Sequence, residues 1–435
     1  MPNLEKKLNL YGLTMIAVGS CIGAGIFVTP YKIVEAVPHH GLVLLIWAIG
    51  GVIALTGALT FAELGGMFPK AGGVYVFLKE AYGDLAGFLY GWVILLVVNT
   101  GSLAALGIAF AEYMTFFVKL SPLAKTILAV SVVGGLTLIN AFGVHVSQWV
   151  ANIFTGLKLL AMLAIVVVGI IYYDPQNIQF EVLAADVPEN LFSALLLGLI
   201  GVLWSFGGWH HASYLAGETI DAPRNVPRAM IIGTFIVTTI YVLINLAYML
   251  LLPLDAIQAT TRVAGDAVAT VIPFGGQLVA IAIAISIFGT ISIYTATAPR
   301  IYFAMAKDGI FFKQLAEVHP RFRTPINAML TQAEWAILLL IFWGTFENLI
   351  AYVTFMDVGF MTLAGASIFL FRKRLPNLAR PYRTTGYPVI PLIFIGISGA
   401  FVISTLIQRP IQAVAGLVFG GIGVGLYYWL RRSAE

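Results

Sequence analysis

This chain of 435 residues is short of charge and almost without cysteine. Only 10% of its residues are charged against 60% hydrophobic, and the mean hydropathy is +0.94. A soluble globular domain carries roughly a quarter charged residues. No soluble fold hides this much apolar surface, so the solvent is lipid. The one cysteine, Cys21, lies inside an apolar run. That excludes an internal disulfide, and it excludes a covalent tether to a partner through an exposed loop. The net charge of +4 needs no nucleic-acid partner. No phosphate-cradling glycine loop ending in Gly-Lys-Ser/Thr occurs, so nucleotide-driven pumping has no support.

What is present is a series of long apolar runs. Twelve can cross a bilayer, at about 10–35, 41–66, 85–117, 124–140, 146–173, 192–218, 229–252, 273–306, 326–344, 349–371, 389–407 and 412–431. Helices are the natural form, because they satisfy their own backbone in lipid. The charged start "MPNLEKKLNL" leads into the first run with no cleavage signal, so that run reads as a retained span. Seventeen of the 24 basic residues fall in loops on the N-terminal side and five on the other. This asymmetry predicts a multi-pass protein of the cell (inner or plasma) membrane with both termini cytoplasmic. The longest loop on the far side, near 174–191, is short and acidic. Two basic residues remain inside runs. Arg300 lies near an end and can snorkel. Lys158, in "NIFTGLKLLAML", lies far from either end, where an ammonium needs a partner or a function.

The first run contains "VGSCIGAGIFVTP" (18–30), with Gly19, Gly23 and Gly25 where a span should be most regular. Alone, these read equally well as close-packing positions between helices. The sixth run carries a second interruption, "GVLWSFGGWHHASY", with Ser205, Gly207 and Gly208 among aromatics. The two lie five spans apart. Five is odd, so a repeat of five helices must lie inverted in the membrane relative to the first. Paired interruptions in two inverted halves point to the central site of a transporter. Unwinding frees backbone N–H and C=O groups, which are costly in lipid unless a ligand or a neighbour satisfies them. The N-terminal end of a half-helix suits a carboxylate, and freed carbonyls suit an ammonium. A zwitterionic amino acid supplies both.

At these residues the chain resembles the amino acid–polyamine–organocation (APC) superfamily, and within it the bacterial relatives of the L-type amino-acid transporters. "GSCIGAGIFVTP" is similar to the first-helix signature, and "SFGGWHHASYLAGETIDAPRNVPRAM" to the sixth. "FAELGGMFPKAGGVY" (61–75) and "APRIYFAMAKDG" (298–309) resemble two further segments, so the likeness runs through essentially the whole chain. It implies an all-α membrane protein of twelve transmembrane helices with a LeuT-type 5+5 inverted repeat, helices 1 and 6 broken, plus two extra helices. The repeats span 1–173 and 192–373, with the extra helices and tail in 389–435. It also implies a substrate-carboxylate region at Ser20, Cys21, Ile22, Gly23, Ala24 and Gly25. The amino-group region and gate fall on Trp204, Ser205, Phe206 and Gly207. Lys158 matches a helix-5 lysine of sodium-independent relatives. Its ammonium then takes the place of a sodium ion beside freed carbonyls and hydroxyls such as Ser292. Ala24 stands where animal L-type transporters often carry serine, which leaves more of the work to backbone N–H groups. The loop "FFVKLSPLAKT" lacks the cysteine that joins animal relatives to a heavy subunit, so no disulfide-linked heavy subunit is expected.

Other residues carry weaker signals. Tyr241, in "TTIYVLINLAYM", has a phenol that needs a partner when buried, and the unwound first helix can provide one. Glu334 and Asp357 are intramembrane acids within a turn or two of an expected interface. No acid falls in either interruption, which favours neutral substrates. His210 and His211 are adjacent on a helix and so do not face each other, which argues against a metal site. The bulk of Trp204, Phe206 and Trp209 favours small neutral substrates such as alanine or serine.

The expected function is therefore sodium-independent secondary transport of neutral L-amino acids by alternating access, as an exchanger, with no cofactor. The alternative is proton symport or uniport with a titrating Lys158. A membrane-embedded enzyme would need two aspartates or a Ser–His pair at matched depth. The histidines near Ser205 and Ser213 lack an orienting base. A receptor that binds without flux is the third class.

Overall fold

The computed structural model describes residues 4–177, 190–342, 346–408 and 410–434. Most of the acidic 174–191 segment lies outside the described residues. Among those described there is no β-strand, and one isolated parallel bridge joins Leu8 to Thr219. Ten helices among the described residues are long and apolar enough to cross a membrane. A further apolar helix, Ile326–Phe342, has 17 residues. The last helix, Pro410–Ala434, has 25.

Local chemistry sets the helix ends. The first helix, Leu10–Cys21, starts at Asn9, whose side chain accepts from the Gly12 N–H at 2.8 Å. Pro122–Ala141 starts with Ser121 as cap and proline at its first position. Gly143, at φ +132°, turns the chain directly into Val144–Ile171. The expected span 85–117 is a helix over Asp84–Val93, a π-helical turn over Ile94–Val98, and a helix over Asn99–Met114.

Small residues bring the helices together, as is usual where lipid supplies no hydrophobic drive between them. Gly50 of His40–Met67 sits under Val202 and Phe206, and Gly57 faces Trp209 and Phe394. Gly169 abuts Ala247. Beyond its first two residues the first helix is enclosed on all sides, with every residue from Gly12 to Cys21 buried.

The two interruptions are real breaks. Helix Leu10–Cys21 ends at Ile22 (φ −77°, ψ 83°), and a short helix, Gly25–Val28, resumes after Ala24. Helix Leu191–Phe206 ends at Gly207 in an extended conformation (φ −61°, ψ 141°), and His211–Tyr214 follows. The expected eighth span is one long helical run, Gly275–Lys307, with a single turn residue, Ala298, inside it. Gly275–Thr297 is followed by Pro299–Lys307, with proline starting the second segment.

Arg300 corrects a sequence expectation. It does not snorkel. Its side chain is 0% exposed, and its guanidinium donates to both carboxylate oxygens of Glu218, at 2.8 and 2.9 Å. A further N–H reaches the Ala296 carbonyl. A planar fork matched to a carboxylate is how arginine stays charged in a dry interior. Glu63 is held likewise by Arg372, Arg380 and the Thr384 N–H.

Candidate functional site

The two breaks lie against each other. Gly208 has φ +122°, and a Cβ there would stand 2.6 Å from the Ser20 carbonyl oxygen and 3.0 Å from the Cys21 nitrogen. Only glycine allows this backbone contact. The Ser20 hydroxyl is within reach of the Gly208 carbonyl at 2.8 Å, and the Cys21 thiol points at the Phe206 carbonyl at 3.5 Å. Tyr241, from the helix Ala222–Leu251, reaches between them. Its hydroxyl lies 2.9 Å from both the Cys21 and the Ser205 carbonyls and shares one hydrogen between them.

Lys158 serves the other side of the first break. Its ammonium donates to the carbonyls of Ile22 at 2.6 Å and Gly19 at 3.0 Å, and to the Thr290 hydroxyl at 2.8 Å. That uses all three of its protons. The side chain is 0% exposed, and no carboxylate pairs with it among the described residues. The Ile22 carbonyl also lies 2.8 Å from the Thr290 hydroxyl and 3.1 Å from that of Ser286.

The hydroxyl at Lys158 is thus Thr290, with Ser286 close by, rather than Ser292. Ser286 and Thr290 stand one turn apart on the same face of Gly275–Thr297. Ser292 is two residues further, about 200° around that helix. Its hydroxyl accepts from Asn140 at 3.0 Å instead. The i, i+4 pair of hydroxyls was a readable signal in the sequence.

The breaks therefore satisfy most of their own carbonyls internally, which lowers the cost of unwinding in lipid. The N–H groups of Ala24, Gly25 and Ile26 have no acceptor among the described residues. They are the free donors of a short helix start. Gly25 lies under the Trp204 ring, 2.9 Å from where a Cβ would be.

Two small cavities flank the second break. One, of about 30 Å³, is lined in part by Asn99, Trp204, Gly207, His210, Tyr294 and Asp357. The other, of about 40 Å³, shares Leu203, Gly207, His210, Asp357 and Val358 with the first and adds Phe206 and Trp209. Each holds roughly a water or two in this conformation. Of the residues expected to meet substrate, Trp204, Phe206 and Gly207 line these cavities. Ser20 to Gly25 and Ser205 do not.

The weaker candidates separate. His211 is tied to Thr297 at 2.6 Å and stacked on Tyr294, while His210 lines both cavities. No cluster of three metal-ligating side chains occurs among the described residues. Glu334 sits on the exposed face of its helix. Asp357, equally unremarkable in sequence, faces both cavities. It is an acid beside the second break that sequence reading did not place there.

Comparison with known proteins identifies the family. The model of the family described as amino acid permease matches residues 8–426. The serine/threonine exchanger SteT of Bacillus subtilis is 32% identical over 436 residues, which is 99% of this chain and 98% of the relative. The large neutral amino acids transporter small subunit 2 of Mus musculus is 31% identical, covering 99% of this chain and 82% of the relative. The Asc-type amino acid transporter 1 of Homo sapiens is 30% identical, covering 98% and 82%. The chain belongs to the amino acid permease family of the APC superfamily and is a multi-pass membrane transporter of amino acids.

Proposed function

We propose that the protein is a sodium-independent exchanger of neutral L-amino acids, small ones such as alanine and serine foremost, working by alternating access. The observation that carries this is the Lys158 ammonium at the first break. It supplies a positive group to the carbonyls of Gly19 and Ile22, where an unwound helix would otherwise need a cation. One relative is named a serine/threonine exchanger, which supports exchange.

In this reading the chain has twelve transmembrane helices with both termini cytoplasmic, in a cell membrane. Two inverted five-helix repeats occupy 1–173 and 192–373, with two further helices in 389–435. The free N–H groups around Ala24 and Gly25 take the substrate carboxylate. Carbonyls at the end of Leu191–Phe206 take the amino group, and Trp204 covers the site. Tyr241 and Gly208 keep the two breaks in register so that they move together. The chain works without a disulfide-linked heavy subunit.

The cavities are smaller than an amino acid, so binding requires their walls to part. A step that opens the site only around substrate is what obligatory exchange needs. The test is uptake of labelled L-serine and L-alanine into sodium-free proteoliposomes, with and without amino acid inside, at equal pH across the membrane. Uptake that depends on internal amino acid supports the proposal. Uptake into empty vesicles that grows with an inward proton gradient would replace it with symport and a titrating Lys158.

A further inference from the structure

We propose that Asp357 is the side-chain subsite of the substrate cavity and selects amino acids that carry a hydroxyl on the side chain. The inference rests on the functional reading above and deepens it to a substrate class.

Among the described residues the two fully buried acids, Glu63 and Glu218, have partners, and half-buried Asp357 does not. Glu63 receives two arginines and a backbone N–H, and Glu218 receives Arg300. Asp357 has no hydrogen bond to either oxygen among the described residues, and its Oδ1 is enclosed and unpaired. An enclosed acceptor without a donor is costly and calls for an explanation. Asp357 lines both cavities beside the second break. The missing donor is then a group that enters the cavity.

A second wall repeats the pattern. Asn99, on Asn99–Met114, lines the first of these cavities, and its Oδ1 is also enclosed and unpaired. Its amide N–H₂ points away, toward the Tyr294 carbonyl at 3.5 Å. Two walls thus offer acceptors. Three of the neighbouring polar side chains are engaged elsewhere. The Tyr90 and Tyr214 hydroxyls bond at 2.6 Å, and His211 bonds Thr297.

Size and lining narrow the donor. The cavities are small, about 30 and 40 Å³, and Leu203, Val353, Phe206 and Val358 supply apolar walls. A long cationic side chain finds no polar path along these apolar walls. A hydroxyl on Cβ brings one donor and no added bulk. Threonine and valine have nearly the same shape, so a preference between them reports this one hydrogen bond.

The experiment uses the full chain, purified in detergent and in sodium-free proteoliposomes. Thermal stabilisation by L-threonine and by L-valine measures binding without flux, and competition against labelled L-serine measures transport. Threonine is expected to outcompete valine by about tenfold or more, the worth of a hydrogen bond to a charged group. Asp357→Ala should bring the ratio close to one, and Asp357→Asn, which keeps an acceptor oxygen, should lie between. Equal stabilisation by threonine and valine in the unmodified protein overturns the subsite while leaving amino-acid transport standing. So does a threonine preference that survives in Asp357→Ala. If Asp357→Ala does not fold, the unmodified protein and Asp357→Asn still decide. No stabilisation by any neutral amino acid overturns the functional reading and the subsite together.

Discussion

Replacing Lys158 by methionine removes one charge and three hydrogen bonds while keeping most of the stem. Each of those bonds involves a charged donor and is worth about 1.5–3 kcal/mol. Against this stands the desolvation of a buried ammonium, several kcal/mol in its own right. The two carbonyls are not abandoned. The Thr290 hydroxyl already lies 3.0 Å from the Gly19 carbonyl, and Ser286 lies 3.1 Å from that of Ile22. The net loss of stability in this conformation should therefore be modest, about 1–3 kcal/mol rather than the sum of three bonds. Transport responds to the same figure differently. If the ammonium grips the break in one conformation and not the other, a loss of about 1.4 kcal/mol moves their equilibrium tenfold. Lys158→Met should thus remain folded, by size-exclusion profile and thermal midpoint, while serine exchange in sodium-free proteoliposomes falls at least tenfold. Exchange at the unmodified rate would refute the assignment of Lys158 to the transport cycle.

Other substitutions test the remaining contacts. Gly208→Ala places a Cβ against the Ser20 and Cys21 backbone and should cost several kcal/mol, read as loss of monodisperse protein after extraction. Tyr241→Phe removes the hydroxyl shared by two carbonyls, at about 1–3 kcal/mol. It should lower both the thermal midpoint and the exchange rate. Arg300→Ala strands a buried carboxylate at Glu218 and should cost about 3–5 kcal/mol. Pairing Arg300→Met with Glu218→Leu should recover most of that in a thermal-shift measurement. Glu334→Gln, on an exposed helix face, should leave exchange unchanged.

Much of this was legible in the sequence because lipid makes exceptions conspicuous. A lysine in mid-span and glycines in two corresponding spans have few bland explanations in a bilayer, and Lys158, Gly23 and Gly207 stood out for that reason. Partners were harder to read. Which hydroxyl meets Lys158 depends on the rotation of Gly275–Thr297, and a two-residue error selects the opposite face. Arg300 sat close enough to a span end for snorkelling to look sufficient. Its bond to Glu218 depends on how the chain turns after the second break, for which hydropathy carries no signal. Asp357 and Glu334 looked equivalent because depth along a helix is visible in sequence and facing is not.

Glu218 has a consequence for how this face of the protein can open. Its carbonyl accepts from the N–H groups of Lys7 and Leu8, at 2.9 and 3.0 Å, and its carboxylate holds Arg300. The Ile220 N–H returns to the Leu8 carbonyl at 2.8 Å. One residue therefore fastens three segments: the lead-in to the first broken helix, the chain beyond the second, and Pro299–Lys307. Partial withdrawal of any one would leave a carboxylate or a carbonyl stranded without its donor. Half-open arrangements are consequently the expensive ones, and the three segments are expected to part together rather than singly.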